Sequence, residues 1–221
     1  AGAAWATNLS QGVSAVLCAG YIFLKVPALA PEKKHWRLTR RDTRYQLQMG
    51  IPMALQFAIT SSGTMIMQSA INLFGSTAVA AFTATGKLQS LLMQGMIAMG
   101  QTMATYSGQN FGYGDIKRIK AGVKTALWIA LIYAVAVAAL MCSLLKPSLH
   151  LFFSGDVDMN AMIPWATTYS YMCALFFLPL CTIFIFRNIM QGCGYGFLPM
   201  MGGVAELIAR LVVSMLSMKL L

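Results

Sequence analysis

Six stretches of this chain are long and apolar enough to cross a lipid bilayer, and very little sequence lies between them. A helix spanning the ~30 Å hydrocarbon core needs about 20 mostly apolar residues. Ala3–Leu24, Met49–Phe74, Ala78–Gly108, Ala121–Leu145, Met162–Ile185 and Phe197–Leu221 all qualify. Charged residues are only 10% of the 221, against about 25% in a typical soluble domain. A water-facing surface cannot be built from so few. The sequence therefore predicts an all-α polytopic membrane protein with six transmembrane helices and no soluble domain. Ala1 opens into one apolar segment and Leu221 ends in another, so the chain reads as part of a longer protein.

The net charge of +10 could suggest nucleic acid, but no basic face with interleaved aromatics occurs on a polar domain, and no nucleic-acid partner is expected. If the helices alternate, one face receives the linker 25–48, the loop 109–120 with the start of the next helix, and the loop 186–196. Those regions hold Lys25, Lys33, Lys34, Arg37, Arg40, Arg41, Arg44, Lys117, Arg118, Lys120, Lys124 and Arg187. The opposite face, formed by Gly75–Thr77 and 146–161, has Lys146 beside Asp156 and Asp158. The excess of Lys and Arg on one side predicts that this side is cytoplasmic. The linker itself, with Pro27, Pro31, Trp36 and Tyr45, reads as a lipid-hugging connector, an amphipathic surface helix, or both.

Between the third and fourth segments the chain reads SGQNFGYGDIKRIK. Gly112 and Gly114 can adopt the left-handed backbone that ends a helix. Asp115 can cap the following helix, and Lys117, Arg118 and Lys120 suit an anionic inner leaflet. Only Gln109 and Asn110 have no evident need to be amides.

Polar residues inside the apolar segments carry the functional information. On the third segment Thr83, Lys87, Ser90, Gln94, Gln101 and Thr105 fall within roughly 60° of one another at about 100° per residue. Met93, Met96, Met99 and Met103 occupy the opposite face and are expected to meet lipid or a neighbouring helix. The second segment places Gln56, Thr60, Thr64, Gln68 and Asn72 at steps of four, a stripe that winds around the helix. On the sixth, Glu206, Arg210, Ser214 and Ser217 share a face after Gly202 and Gly203. Interhelical hydrogen bonding explains any one stripe, whereas three together suggest a shared aqueous cavity. Lys87 lies near mid-depth with no opposite charge close in sequence. Glu206 and Arg210 read as a local i,i+4 ion pair.

Chemistry finds no support here. His35 lies in the linker and His150 in the opposite loop, and no metal-ligand spacing, nucleophile elbow or phosphate-binding glycine loop occurs. Asp156 and Asp158 read as a turn and cap. The cysteines Cys18, Cys142, Cys173, Cys181 and Cys193 read as packing residues. Neither an enzyme nor a metal site is expected.

The turn Gln109–Asn110–x–Gly112–x–Gly114–Asp115–x–x–Arg118 resembles the cytoplasmic loop signature of the multidrug and toxic compound extrusion (MATE) family. The MGIPMALQ entry at Met49–Gln56, AVAAFTATGKLQSL at Ala78–Leu91, MQGCGYGFLPMMGG at Met190–Gly203 and Glu206–x–x–x–Arg210 agree with it in order. The resemblance implies a twelve-helix, two-lobed transporter of pseudo-symmetric repeats. Residues 1–24 would be the last helix of the first lobe, 25–48 the basic inter-lobe linker, and 49–221 five helices of the second lobe. It further implies a prokaryotic cell-membrane antiporter, monomeric when complete and without a cofactor. Such a protein exports small, often cationic, organic compounds in exchange for Na⁺ or H⁺ by alternating access. Gln56, Thr60, Thr64, Gln68, Lys87, Ser90, Gln94 and Gln101 would line the second lobe's side of the cavity. Met49–Phe74 departs from the norfloxacin-exporter-like branch by lacking its acidic cation-binding residue. Alternatives are a flippase for lipid-linked sugars of the same superfamily, for which only Lys87 and Arg210 would offer cavity cations, and a non-functional truncated remnant.

Overall fold

The computed structural model describes residues 2–26, 39–152 and 159–220. Within them the chain forms six helices: α1 (Gly2–Lys25), α2 (Arg40–Asn72), α3 (Ser76–Tyr113), α4 (Ile116–Phe152), α5 (Met159–Gly192) and α6 (Phe197–Leu220). The expectations for Pro27, Pro31, Lys33, Lys34, His35, Trp36, Arg37, Asp156 and Asp158 lie outside the described residues.

Two units are distinct, residues 1–46 and 47–221. The first holds α1, whose apolar side chains are exposed along its length. The second is built on α3, α4 and α5. Met96 and Met103 of α3 are buried with Ala126, Ala130, Ala134, Val137 and Met141 of α4 and Phe177, Cys181 and Ile185 of α5. A second core joins Ala81 and Ala84 to Leu145, Leu149, Met162 and Ala166. The methionine face of α3 thus meets neighbouring helices, with Met93 and Met99 packed against the same core.

Tyr169 Oη donates to Gln89 Oε1 at 2.6 Å, and Ser107 Oγ lies 3.4 Å from the Ile189 carbonyl oxygen. These pairings rise together along both chains, so α3 and α5 run parallel. Their approach is closest where Gly108 meets the backbone of Gly192 and where Gly192 faces Ala104 and Ser107. The α4 helix runs antiparallel to α3, with Tyr133 Oη donating to the Leu92 carbonyl and Tyr106 Oη to that of Arg118.

Two turns have the same geometry. After α3, Gly114 adopts φ 85°, and the Asp115 and Gly114 N–H groups donate to the Asn110 and Phe111 carbonyls at 2.9 and 3.0 Å. After α5, Gly194 adopts φ 89°, and Tyr195 and Gly194 donate to Met190 and Gln191 at 2.9 and 3.0 Å. Both are Schellman closures, which require a residue free to take positive φ. Phe111 and Tyr195 stack edge to face at 6.4 Å, so the two turns sit side by side. Phe74 and Trp165 make a similar pair at 5.7 Å, joining the end of α2 to the early part of α5. Helices alternating in direction require this arrangement.

Several sequence expectations are corrected. Gln109, Asn110 and Gly112 belong to α3, and only Gly114 is left-handed. The second helix begins at Arg40, inside the expected linker, and α5 continues to Gly192, so Arg187 lies in a helix. His150 falls within α4. Helices outrun their lipid-length apolar cores because backbone hydrogen bonding continues into water until a turn residue stops it. Among the described residues, four helices are long and apolar enough to cross a membrane: α1, α4, α5 and α6. Both α2 and α3 have the length, but their amide and hydroxyl stripes lower the mean hydropathy.

Candidate functional site

Five polar side chains converge between α2, α5 and α6. Gln56 faces this space from α2, Arg187 and Gln191 from α5, and Glu206 and Arg210 from α6. Arg210 Nη2 and Nε donate to Glu206 Oε1 at 2.6 and 3.2 Å. Arg187 Nη2 approaches Glu206 Oε2 at 3.4 Å. A guanidinium can only donate, so the Gln56 amide atom facing Arg187 Nε and Nη1 at 3.1 and 3.2 Å is oxygen. The other end of that amide lies 3.0 Å from the Gln191 amide. The Arg187 guanidinium also sits 5.9 Å from the centre of the Phe184 ring, within cation–π range.

Local sequence explains why these groups meet. Residues four apart share a helix face, which places Arg187 and Gln191 together on α5 and Glu206 and Arg210 together on α6. Two glycines make room. A methyl at Gly63 would press on Arg210 Cδ at 2.8 Å, and one at Gly203 would meet Gln56 Cγ at 3.3 Å. The small residues thus admit long polar side chains, besides allowing close helix packing.

The Glu206–Arg210 pair forms as its i,i+4 spacing requires. However, it is not purely local, because Arg187 shares the same carboxylate from another helix. Sequence reading placed Arg187 in a loop. The Gly192–Gly194 turn was the signal that could have corrected this, since it matches the Gly112–Gly114 pattern and would have carried α5 past Arg187.

The other predicted residues are more dispersed. Gln56 is buried and joins the cluster, while Thr60 and Gln68 are half-buried and Thr64 is exposed. Thr64 donates to the Ser61 carbonyl at 2.7 Å, and Gln68 Nε2 to Asn72 Oδ1 at 3.3 Å. Lys87, Ser90, Gln94 and Gln101 are exposed on the face of α3 opposite its buried residues. Thr83 and Thr105 lie on that face and hydrogen-bond to carbonyls one turn back, at 2.7 and 3.2 Å.

In the turn motif, Asn110 is buried and its Nδ2 donates to the Tyr106 carbonyl at 2.7 Å, while Gln109 is exposed. Asp115 Oδ1 accepts from the Arg118 N–H at 2.9 Å, an N-terminal cap for α4. The motif is therefore a helix stop followed by a helix start.

A family model described as MatE matches residues 52–216. Among curated proteins, the chain is 32% identical over 121 residues to "Probable multidrug resistance protein YpnP" of Bacillus subtilis (strain 168), covering 54% of this chain and 26% of that protein. It is 21% identical over 131 residues to "Probable multidrug resistance protein YoeA" of the same organism, covering 58% of this chain and 28% of that one. The matched region is thus little more than a quarter of either relative's length. Its fold resembles an outward-facing multidrug resistance MATE family transporter of the MOP superfamily, with TM-score 0.82 and 20% identity, over 92% of this chain and 45% of that one. A crystal structure of MATE in complex with MaL6 gives TM-score 0.81, again at 20% identity over 92% and 45% of the two chains.

Proposed function

The chain belongs to the MatE family, and from that premise we propose that the complete protein is a secondary active exporter of organic compounds. It moves them across the cell membrane by alternating access, in exchange for Na⁺ or H⁺. The observation that carries this reading is the charged and amide cluster of Gln56, Arg187, Gln191, Glu206 and Arg210 between helices of a largely apolar chain. Ionisable groups held between membrane-spanning helices mark solute pathways by default. The exposed stripe of Lys87, Ser90, Gln94 and Gln101 supports a second wet surface on the same lobe. Thr60, Thr64 and Gln68 belong to the same proposed lining.

The test is ethidium retention in a pump-deficient bacterium expressing the full gene product that carries this sequence, with and without Na⁺ and with a protonophore. Energised efflux faster than in the empty-vector strain is expected, and the condition that abolishes it identifies the coupling ion. No difference, with the protein demonstrated in the membrane, would overturn the reading.

Lys87 is exposed, so Lys87→Met is expected to leave membrane levels unchanged while altering the efflux rate. Loss of protein from the membrane would assign Lys87 a folding role instead.

Residues 25–48 and 109–120 are assigned to the cytoplasmic side. The excess of basic residues near them supports this, and the Phe111–Tyr195 contact keeps the turns after α3 and α5 on one side. Lys117→Cys is expected to react with a membrane-impermeant maleimide only after the cells are opened. Labelling of intact cells would reverse the orientation.

A second reading, a flippase for lipid-linked sugars, gains from Arg187. A pyrophosphate headgroup calls for several cationic side chains, and Arg187 stands beside Arg210 where only Arg210 and Lys87 were expected.

A further inference from the structure

The α2–α5–α6 cluster is electrically unbalanced. Two guanidiniums share one carboxylate, and the remaining members, Gln56 and Gln191, are neutral. An arginine stays charged under all ordinary conditions, so the group carries a net positive charge that no member of it offsets. Its donors are also incompletely used. A guanidinium has five N–H bonds in a fixed fork. Arg187 directs three at Gln56 and Glu206, and Arg210 two at Glu206. Both side chains remain reachable, at 16% exposure for Arg187 and 31% for Arg210, beside Glu206 at 34%.

We propose that this cluster binds an oxyanion carried by an organic molecule, a carboxylate or a phosphate ester, which forks onto the free N–H groups of Arg187 and Arg210. Resting on the exporter reading, this names a substrate class for that site: compounds with an acidic group, including zwitterions, besides the often cationic compounds that family resemblance implies. Glu206 holds the two guanidiniums together and the Gln56 carbonyl fixes the Arg187 plane. The bound anion then completes the charge balance. Bidentate, charge-assisted hydrogen bonds of this kind are the strong ones.

The test uses the full gene product in nanodiscs of phosphatidylcholine and two dyes that differ only in the acidic group, rhodamine B and its ethyl ester. Fluorescence anisotropy is expected to give about tenfold tighter binding of the acid than of the ester, the difference expected for one or two charge-assisted hydrogen bonds. Arg187→Gln is expected to abolish that preference while retaining ester binding. Arg187→Lys, which keeps the charge without the fork, is expected to retain only part of it.

Adding phosphatidic acid separates the two sources of the oxyanion. Displacement of rhodamine B points to a lipid headgroup, and an unchanged preference to a soluble organic acid. Equal affinity for the two dyes, or no binding of either, would overturn the inference. Such a result would leave the export reading to stand or fall on ethidium efflux alone.

Discussion

Gly192→Ala is expected to cost the folded protein about 3 kcal/mol or more, at or above the upper end of ordinary overpacking penalties. The added methyl would overlap the Ala104 carbonyl oxygen and crowd Ser107 Oγ. Ala104 presents backbone rather than a rotatable side chain, so relief requires parting α3 from α5. That separation would also stretch the Gly108–Gly192 approach and the contact of Ser107 Oγ with the Ile189 carbonyl. The measurement is the melting temperature of the detergent-solubilised full gene product, with membrane yield alongside. Gly112→Ala is the control: nothing lies within 4 Å of the added carbon and φ is helical. It should be neutral or slightly stabilising. Equal behaviour of the two variants would remove the close α3–α5 crossing from the account.

Glu206→Gln is expected to be the most damaging change in the charged cluster, destabilising it by about 2–3 kcal/mol, discounted from the ~3–5 kcal/mol typical of a fully buried pair because the group is partly exposed. The carboxylate accepts from Arg210 and Arg187 on two helices. The substitution keeps the shape but leaves two guanidiniums facing a neutral amide. Adding Arg187→Gln should recover part of the loss, because it removes one of the two opposed charges. The double-mutant cycle in thermal stability measures that coupling. Strict additivity would mean that Arg187 and Glu206 do not interact in the membrane.

The sequence carried the periodic features of this structure well. On α3 the polar stripe and the methionine stripe were readable from angle alone, and the structure exposes the first and buries Met96 and Met103 on the second. The i,i+4 pair of Glu206 and Arg210, the left-handed Gly114 and the cap at Asp115 were also legible, because each depends on residues only a few positions apart. Features that depend on distant residues were not. Gln56 and Arg187 meet across 131 positions of sequence, and nothing in either helix alone distinguishes that pairing from two separate surface groups. Helix ends failed for another reason. Hydropathy marks where lipid stops, and α2, α3, α4 and α5 each extend for turns beyond it.

The closeness of α3 and α5 has a consequence for how breathing motions are distributed over the second unit. The α3–α4–α5 trio is held by backbone-to-backbone proximity and a continuous apolar core. From Leu47 onward, α2 is tied to its neighbours at scattered points: a glutamine, an arginine laid over Gly63, the Met49 backbone beside Gly196, and the Phe74 edge just past its end. Amide protons in the middle of α3 and α5 should therefore exchange with deuterium only when the whole unit opens. Those of α2 should exchange through smaller, more frequent excursions in which the helix swings while the trio stays closed.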